Sequence, residues 1–173
     1  MLSYLKDDLL RYVPNASLID MLKVIIVSHA FHMVIAIRVG SQLGRLPVVG
    51  VVFRVLFEYF IRVFYASDIS LKSKIGPGLM ILHGHDIVIG SEVIIGQRCK
   101  IMNGVTLGNK DTEAGVNKHP VIGDDVVIGT GAKILGDVTV GNNSKVGANS
   151  VVLKDVEEGF LAVGVPARTR SLK

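Results

Sequence analysis

The sequence predicts a mainly β protein, a parallel β-solenoid preceded by an α-helical region, and three observations carry this reading. Aliphatic residues recur every six positions, at Ile69, Ile75 and Ile81, at Ile89, Ile95, Ile101 and Leu107, and again at Ile122, Ile128, Ile134, Val140, Val146 and Val152. Glycine follows many of them directly, at Gly76, Gly90, Gly96, Gly108, Gly123, Gly129, Gly141 and Gly147. Upstream of Asp68 the six-residue spacing is absent and apolar residues follow helical intervals. A period of six fits neither a helix nor strand alternation. It suits short strands joined by tight corners, with three hexapeptides closing one coil and the aliphatic side chains stacked inward. The glycines are expected to supply backbone freedom at the corners.

Residues 1–66 form the helical region. Ser17 reads as an N-cap with Asp20 three residues on, opening an apolar stretch through Met21, Val24, Ile25, Phe31, Val34 and Ile35. Gly40, Gly44 and Pro47 punctuate it, and a second helix from Pro47 to Phe64 carries a polar stripe of Arg54, Glu58 and Arg62. Lys23, His29, His32, Arg38, Arg54 and Arg62 interrupt the apolar runs, so a membrane span is not expected. The apolar, basic faces suit burial in a helical or oligomer interface, or peripheral contact with a bilayer.

Residues 67–173 form the solenoid with a C-terminal tail. Its register breaks twice: Ile81 and Ile89 are two residues too far apart, and fifteen residues separate Leu107 from Ile122. Extra residues must leave the wall as loops, where function usually sits, and both loops contain histidine.

Composition narrows the function classes. Of 173 residues, 49% are hydrophobic and 20% charged, enough for a core and too apolar for a disordered chain. The net charge of +4 is scattered without like-charge runs, which gives no nucleic-acid footprint and suits an anionic cofactor, a membrane surface or ordinary solubility alike. Cys99 is the single cysteine, so no disulfide framework exists within the chain. Neither the histidines nor Cys99 have metal-ligand spacing, and no metal is expected. The opening MLSYLKDDLLRYVP lacks the pattern of a signal peptide, so a cytoplasmic location is expected, with any bilayer contact at the inner face.

The stretch DISLKSKIGPGLMILHGHDIVIG, then VTLGN, then KHPVIGDDVVIGTGAKILGDVTVGNNSKVGANSVVLKDV and AVGVPAR, resembles the serine acetyltransferase family of left-handed parallel β-helix enzymes. The likeness extends more loosely upstream to about Arg38. In length the chain is more similar to the short acetyltransferases encoded with colanic acid and other surface-polysaccharide pathways. The resemblance implies an enzyme using acetyl-CoA and a homotrimer whose active sites lie between subunits, with pairing of trimers through the helices left open. It implies His83 as general base, the role neutral imidazole fills near pH 7. Asp68, fifteen residues earlier, is the carboxylate that would orient the imidazole, though it also reads as a strand-start residue. His119 is implied as a second site histidine, facing a neighbour's His83 and serving the acceptor or the oxyanion. His85 is a weaker substrate contact that reads more readily as an ordinary loop residue, and His29 and His32 read as packing residues.

Gly108, Thr130, Gly131 and Ala148 match cofactor-lining positions, while Lys145 would meet the nucleotide phosphates. These small residues also suit a tight corner. Pro166 and Arg168 match the family's C-terminal closure beside the cofactor. Two positions depart from the family pattern: Leu82 stands where an aspartate would hold the serine ammonium, and Lys118 where an arginine would meet its carboxylate. An ammonium left unpaired in the site is costly. The leading expectation is therefore O-acetylation of a sugar hydroxyl in surface-polysaccharide biosynthesis. The alternative is serine O-acetylation for cysteine synthesis, and a third reading is a non-catalytic β-helix scaffold.

Overall fold

A computed structural model describes residues 2–13, 17–111 and 118–172 of the chain. Four helices come first: α1 (Leu2–Tyr12), α2 (Leu18–Val27), α3 (His29–Leu43) and α4 (Gly50–Tyr65). The long helix expected from Ser17 is broken at Ser28, which adopts extended backbone and accepts the Phe31 N–H on its hydroxyl, capping α3. Ser17 occupies the N-cap of α2, but its side chain makes no capping bond. The two helices diverge by 80° at the break, and no single helix among the described residues is long and apolar enough to cross a membrane. Helix α3 buries Phe31, Met33, Val34, Ala36 and Ile37. Its Gly40 lets α4 approach closely, since an added Cβ would lie 2.7 Å from Phe57 Cβ and 2.6 Å from Leu71 Cδ1.

From Asp68 the chain winds as a parallel solenoid with three walls. The first wall stacks β1 (Asp68–Ile69), β4 (Val88–Ile89), β7 (Thr106–Gly108), β10 (Lys133–Leu135) and β13 (Val151–Val152). The second stacks β2 (Lys74–Ile75), β5 (Ile94–Ile95), β8 (Val121–Ile122) and β11 (Thr139–Val140). The third stacks β3 (Met80–Leu82), β6 (Lys100–Met102), β9 (Val127–Ile128), β12 (Lys145–Val146), β14 (Phe160–Gly164) and β15 (Ala167–Ser171). From β1 to β13 consecutive strands lie on successive walls, so three hexapeptides close a coil, as the spacing requires.

The six-residue aliphatic column points inward: from Ile69 to Val152 its members are 0–2% exposed, except Ile75, which is partly covered. A second inward column, two residues earlier in each repeat, includes Ile87, Val93, Cys99, Val105, Val126 and Ala132, all 0% exposed. Each such aliphatic side chain contributes about 1.5–3 kcal/mol by leaving water. The register breaks fall where expected. Asp68 pairs with Val88 but Val88 with Thr106, so the first coil takes up its two extra residues around His83 to Asp86. The longer insertion leaves between β7 and β8.

The glycines serve differently from the expectation. Gly76, Gly96, Gly123, Gly129 and Gly141 need space rather than unusual torsions, because the next coil's backbone approaches there; a Cβ on Gly96 would lie 2.7 Å from the Gly123 carbonyl. The left-handed corner positions fall elsewhere, on residues such as Arg98, Asp125 and Asn143 as well as on Gly104 and Gly131.

The first coil has no coil before it, and the helices satisfy its outward-facing backbone groups. Asp8 Oδ1 accepts the Leu79 N–H at 2.8 Å, and the Tyr12 hydroxyl both accepts from Ile81 N and donates to Ile81 O at 2.9 Å. Arg38 donates to the carbonyls of Ile75 at 2.7 Å and Gly76 at 2.6 Å, and Glu58 accepts the Leu71 N–H at 2.9 Å. Arg38 also grips Asp8 through two bonds of 2.8 and 3.0 Å, with Asp8 0% and Arg38 7% exposed. Burial pushes the Tyr12 hydroxyl up to about 12.

Removing one partner of this pair strands a buried charge, so Arg38→Met is expected to lower unfolding free energy by about 3–5 kcal/mol in urea titrations. Burial also holds the Cys99 thiol up to about 11 against an ordinary value of 9.0. Between those pH values the unfolded thiol ionises while the folded one keeps its proton, so the residue's contribution to stability falls as pH rises. Cys99→Ala is expected to flatten the decline in melting temperature measured across that range.

Candidate active site

The residues singled out from the sequence gather at two edges of the solenoid. At the corner from the third wall to the first lie His83 and His85, between β3 and β4; Thr130 and Gly131, between β9 and β10; and Ala148, between β12 and β13. Asp68 opens β1 at this same corner, its backbone N–H donating to Ile87 O at 2.8 Å. Backbone bonds tie this edge together from coil to coil: Gly104 N to His85 O, Gly131 N to Asn103 O, and Asn149 N to Thr130 O. The predicted base and three predicted cofactor positions therefore share one continuous edge. Lys145 opens β12 on the adjoining third wall with its side chain exposed. It forms no hydrogen bond or ion pair with the described residues.

The corner from the first wall to the second carries the others. Gly108 ends β7, and Lys118 and His119 lead into β8. Within one chain the first wall separates His119 from His83. Pro166 and Arg168 belong to the antiparallel hairpin of β14 and β15, which adds the last strand to the third wall.

His83 is exposed and holds a left-handed backbone at φ 54°. A non-glycine residue there stores on the order of 1 kcal/mol of strain, which the surrounding packing must sustain. The following residues are gripped by the helical region. Gly84 is buried against Met33 and Ala30, and the His85 ring stacks on His29 at 5.1 Å, with His29 lying 4.3 Å from the Tyr65 ring. His29 thus packs, as expected, and what it packs is the loop that carries His83. His32 Nε2 lies 2.7 Å from Ile25 O, across the break between α2 and α3.

Asp68 is occupied by a partner that the sequence reading did not assign. Its carboxylate accepts from Arg62 Nη2 at 2.8 Å, which pushes the guanidinium pKa up, and no hydrogen bond joins it to His83. The signal was present as the polar stripe on α4: Glu58 and Arg62 both face the first coil. His119 is the more enclosed histidine, its side chain 8% exposed, with Nδ1 3.8 Å from Glu92 and no hydrogen-bond partner among the described residues. Its ring lies directly against Gly90, where any Cβ would collide with it. Thr130 donates to Asn103 Oδ1 at 3.2 Å, and Lys118 pairs with Asp137 at 3.2 Å. Among the described residues no group of His, Cys, Asp and Glu is arranged to hold a metal ion. A cavity of about 510 Å³ opens between α3 and the second wall, lined by Tyr4, Ser41, Arg45 and Lys74 among others, and none of the predicted site residues reaches it.

Residues 119–154 match the family described as bacterial transferase hexapeptide (six repeats), and residues 86–111 match the hexapeptide repeat of succinyl-transferase. The chain is 37% identical over 149 residues to the serine acetyltransferase of Synechococcus elongatus, covering 85% of this chain and 59% of that protein. Soybean serine acetyltransferase complexed with serine superposes with a TM-score of 0.86 at 34% identity, covering 97% of this chain and 68% of that one. The Brucella abortus serine acetyltransferase in complex with coenzyme A gives 0.87 at 29% identity, covering 97% and 66%. The chain spans between 40% and 59% of the length of the first curated relatives it matches.

These findings overturn the expectation of a sugar acceptor and of a special likeness to polysaccharide acetyltransferases, because the relatives are serine acetyltransferases along nearly the whole chain. That expectation rested mainly on Leu82 and Lys118. Leu82 is the last residue of β3, paired with Met102 and half-buried on the outer side of the wall, so its apolar character is accounted for by packing. Lys118 keeps a positive charge beside His119. Coil register, repeat matches and similarity over most of this chain converge on one lineage: the chain belongs to the hexapeptide-repeat acetyltransferases.

Proposed function

We propose that this protein transfers the acetyl group of acetyl-CoA to the hydroxyl of serine, the first committed step toward cysteine. The observation that carries the reading is the likeness over 97% of the chain to a serine acetyltransferase complexed with serine. The small residues along the third-to-first edge support it, since they leave room for a pantetheine arm to lie with its amides against the backbone. Lys145, exposed and unpaired among the described residues, suits the cofactor's phosphates.

In this reading His83 takes the proton of the serine hydroxyl as its oxygen attacks the thioester carbonyl. The tetrahedral adduct then expels the CoA thiolate, which collects that proton from the imidazolium. Products are O-acetylserine and CoA. Asp68 steadies the imidazolium once acceptor binding draws it from Arg62. His119 serves the oxyanion or the acceptor from a neighbouring copy, because one chain holds the two histidines on separate corners. A homotrimer, with the third-to-first edge of one copy against the first-to-second edge of the next, would unite them.

Thiol release from acetyl-CoA with serine is the direct assay, and a rate no higher with serine than with water would refute the acceptor. His83→Ala is expected to lower kcat by about 10²–10⁴-fold with a smaller change in KM for acetyl-CoA. Mixing His83→Ala and His119→Ala chains before assembly should restore activity through hybrid sites; mixtures as inactive as the separate variants would place both histidines in one chain's site. Gly90→Ala is expected to displace the His119 ring and reduce kcat while leaving the melting temperature within a few degrees.

A further inference from the structure

The cavity between α3 and the second wall has no part in the proposed reaction, and its charges are all of one sign. At about 510 Å³ it falls in the size range of small-molecule sites. Its charged lining residues are Arg38, Arg45 and Lys74, and no Asp or Glu among the described residues lines it. Arg38 is engaged elsewhere: it holds Asp8 through two bonds and donates to the carbonyls of Ile75 and Gly76. Arg45 and Lys74 differ, since neither makes a hydrogen bond or ion pair with the described residues. The carbonyls at the end of α3 do not answer Arg45, because those of Gly40, Gln42 and Leu43 already accept the N–H groups of Gly44, Arg45 and Leu46. Lys74 opens β2 and stands in register with Ile94 of β5, both exposed on the outer face of the second wall. A cation and an apolar side chain thus lie side by side on neighbouring coils.

We propose that this cavity binds a small organic anion, a phosphate ester or a carboxylate, with its charged group toward Arg45 and Lys74 and its carbon skeleton on Ile94. Two unanswered cations in one concave wall raise the local potential, which an anion relieves. A neutral ligand would leave both cations as they are, and a bare inorganic ion would leave Ile94 uncovered. Polar groups of Ser41 and Gln42 on α3, and of Tyr4 beneath the Arg38 guanidinium at 5.2 Å, supply further hydrogen-bonding partners. A phosphate ester is favoured over a carboxylate, because two negative charges answer two positive ones. The site is separate from the candidate active site, whose residues lie on the two edges of the first wall. It also spans the joint of the molecule: Arg38, which caps the first coil, forms part of its wall, so an occupant bridges α3 to the first two coils.

The probe is phenyl phosphate, with phenol as its neutral counterpart and inorganic phosphate as the anion without an apolar body. Calorimetric titration of the full chain with phenyl phosphate is expected to saturate at one site per chain. Phenol should give no saturable heat, and inorganic phosphate should bind at least about tenfold more weakly. Near saturation phenyl phosphate should also raise the melting temperature by about 2–4 °C, because it binds only the folded chain. Combining Arg45→Gln with Lys74→Gln, at two exposed positions, should remove both effects while leaving the ligand-free melting temperature unchanged. Saturating coenzyme A should leave them intact. Absence of saturable binding to the native chain overturns the proposal, as does binding that the double variant retains. Binding abolished by coenzyme A assigns the anion to the cofactor groove and overturns it too. So does a ligand-free chain that sediments as an assembly whose mass the double variant reduces, since the two cations then meet carboxylates of a second copy.

Discussion

A stack of parallel coils has an open first rung, and everything in this protein depends on how that rung is closed. The N–H and C=O groups of Leu71, Ile75, Gly76, Leu79 and Ile81 would otherwise face an apolar contact without partners. Side chains from three helices answer them: Asp8 and Tyr12 from α1, Arg38 from α3 and Glu58 from α4. Because Arg38 and Asp8 are themselves buried against each other, the side chains that close the solenoid also tie α1 to α3. The other end is closed more simply, by a strand turned back antiparallel on the third wall.

The same closure shapes the candidate site. The loop bearing His83 leaves the wall at the end of the first coil, so it lies against α3, where His29 and Met33 hold its neighbours His85 and Gly84. The α4 side chain that grips Asp68 is one turn from the one that caps Leu71. Helices whose first task is to satisfy an exposed edge thereby position the residues from which catalysis is proposed.

Coil geometry then decides how much of a site one chain can hold. Residues one coil apart stack on the same corner, which brings Asp68, His83, Thr130, Gly131 and Ala148 into line although they span much of the sequence. Residues a wall apart stay apart, which is why His119 and Lys118 stand across the first wall from His83. Among the described residues His119 Nδ1 has no hydrogen-bond partner, and Arg62 holds the Asp68 carboxylate.

The solenoid was legible in the sequence because its constraint is local and repeated. An inward side chain every six residues must be aliphatic, and a departure from the count must appear as a loop, so walls, coils and both insertions could be read by counting. The second inward column escaped notice because Cys99, Ala132 and Ser144 share that position with valine and isoleucine, leaving no single residue class to detect. The break at Ser28 was likewise hidden, since the apolar pattern continues through it. What the sequence by itself determined was the coil register and the corner on which each repeat residue sits. Only the tertiary structure decided which partners the charged side chains take, Arg38 with Asp8 and Arg62 with Asp68, because such pairs join distant segments and depend on distance and burial rather than on spacing.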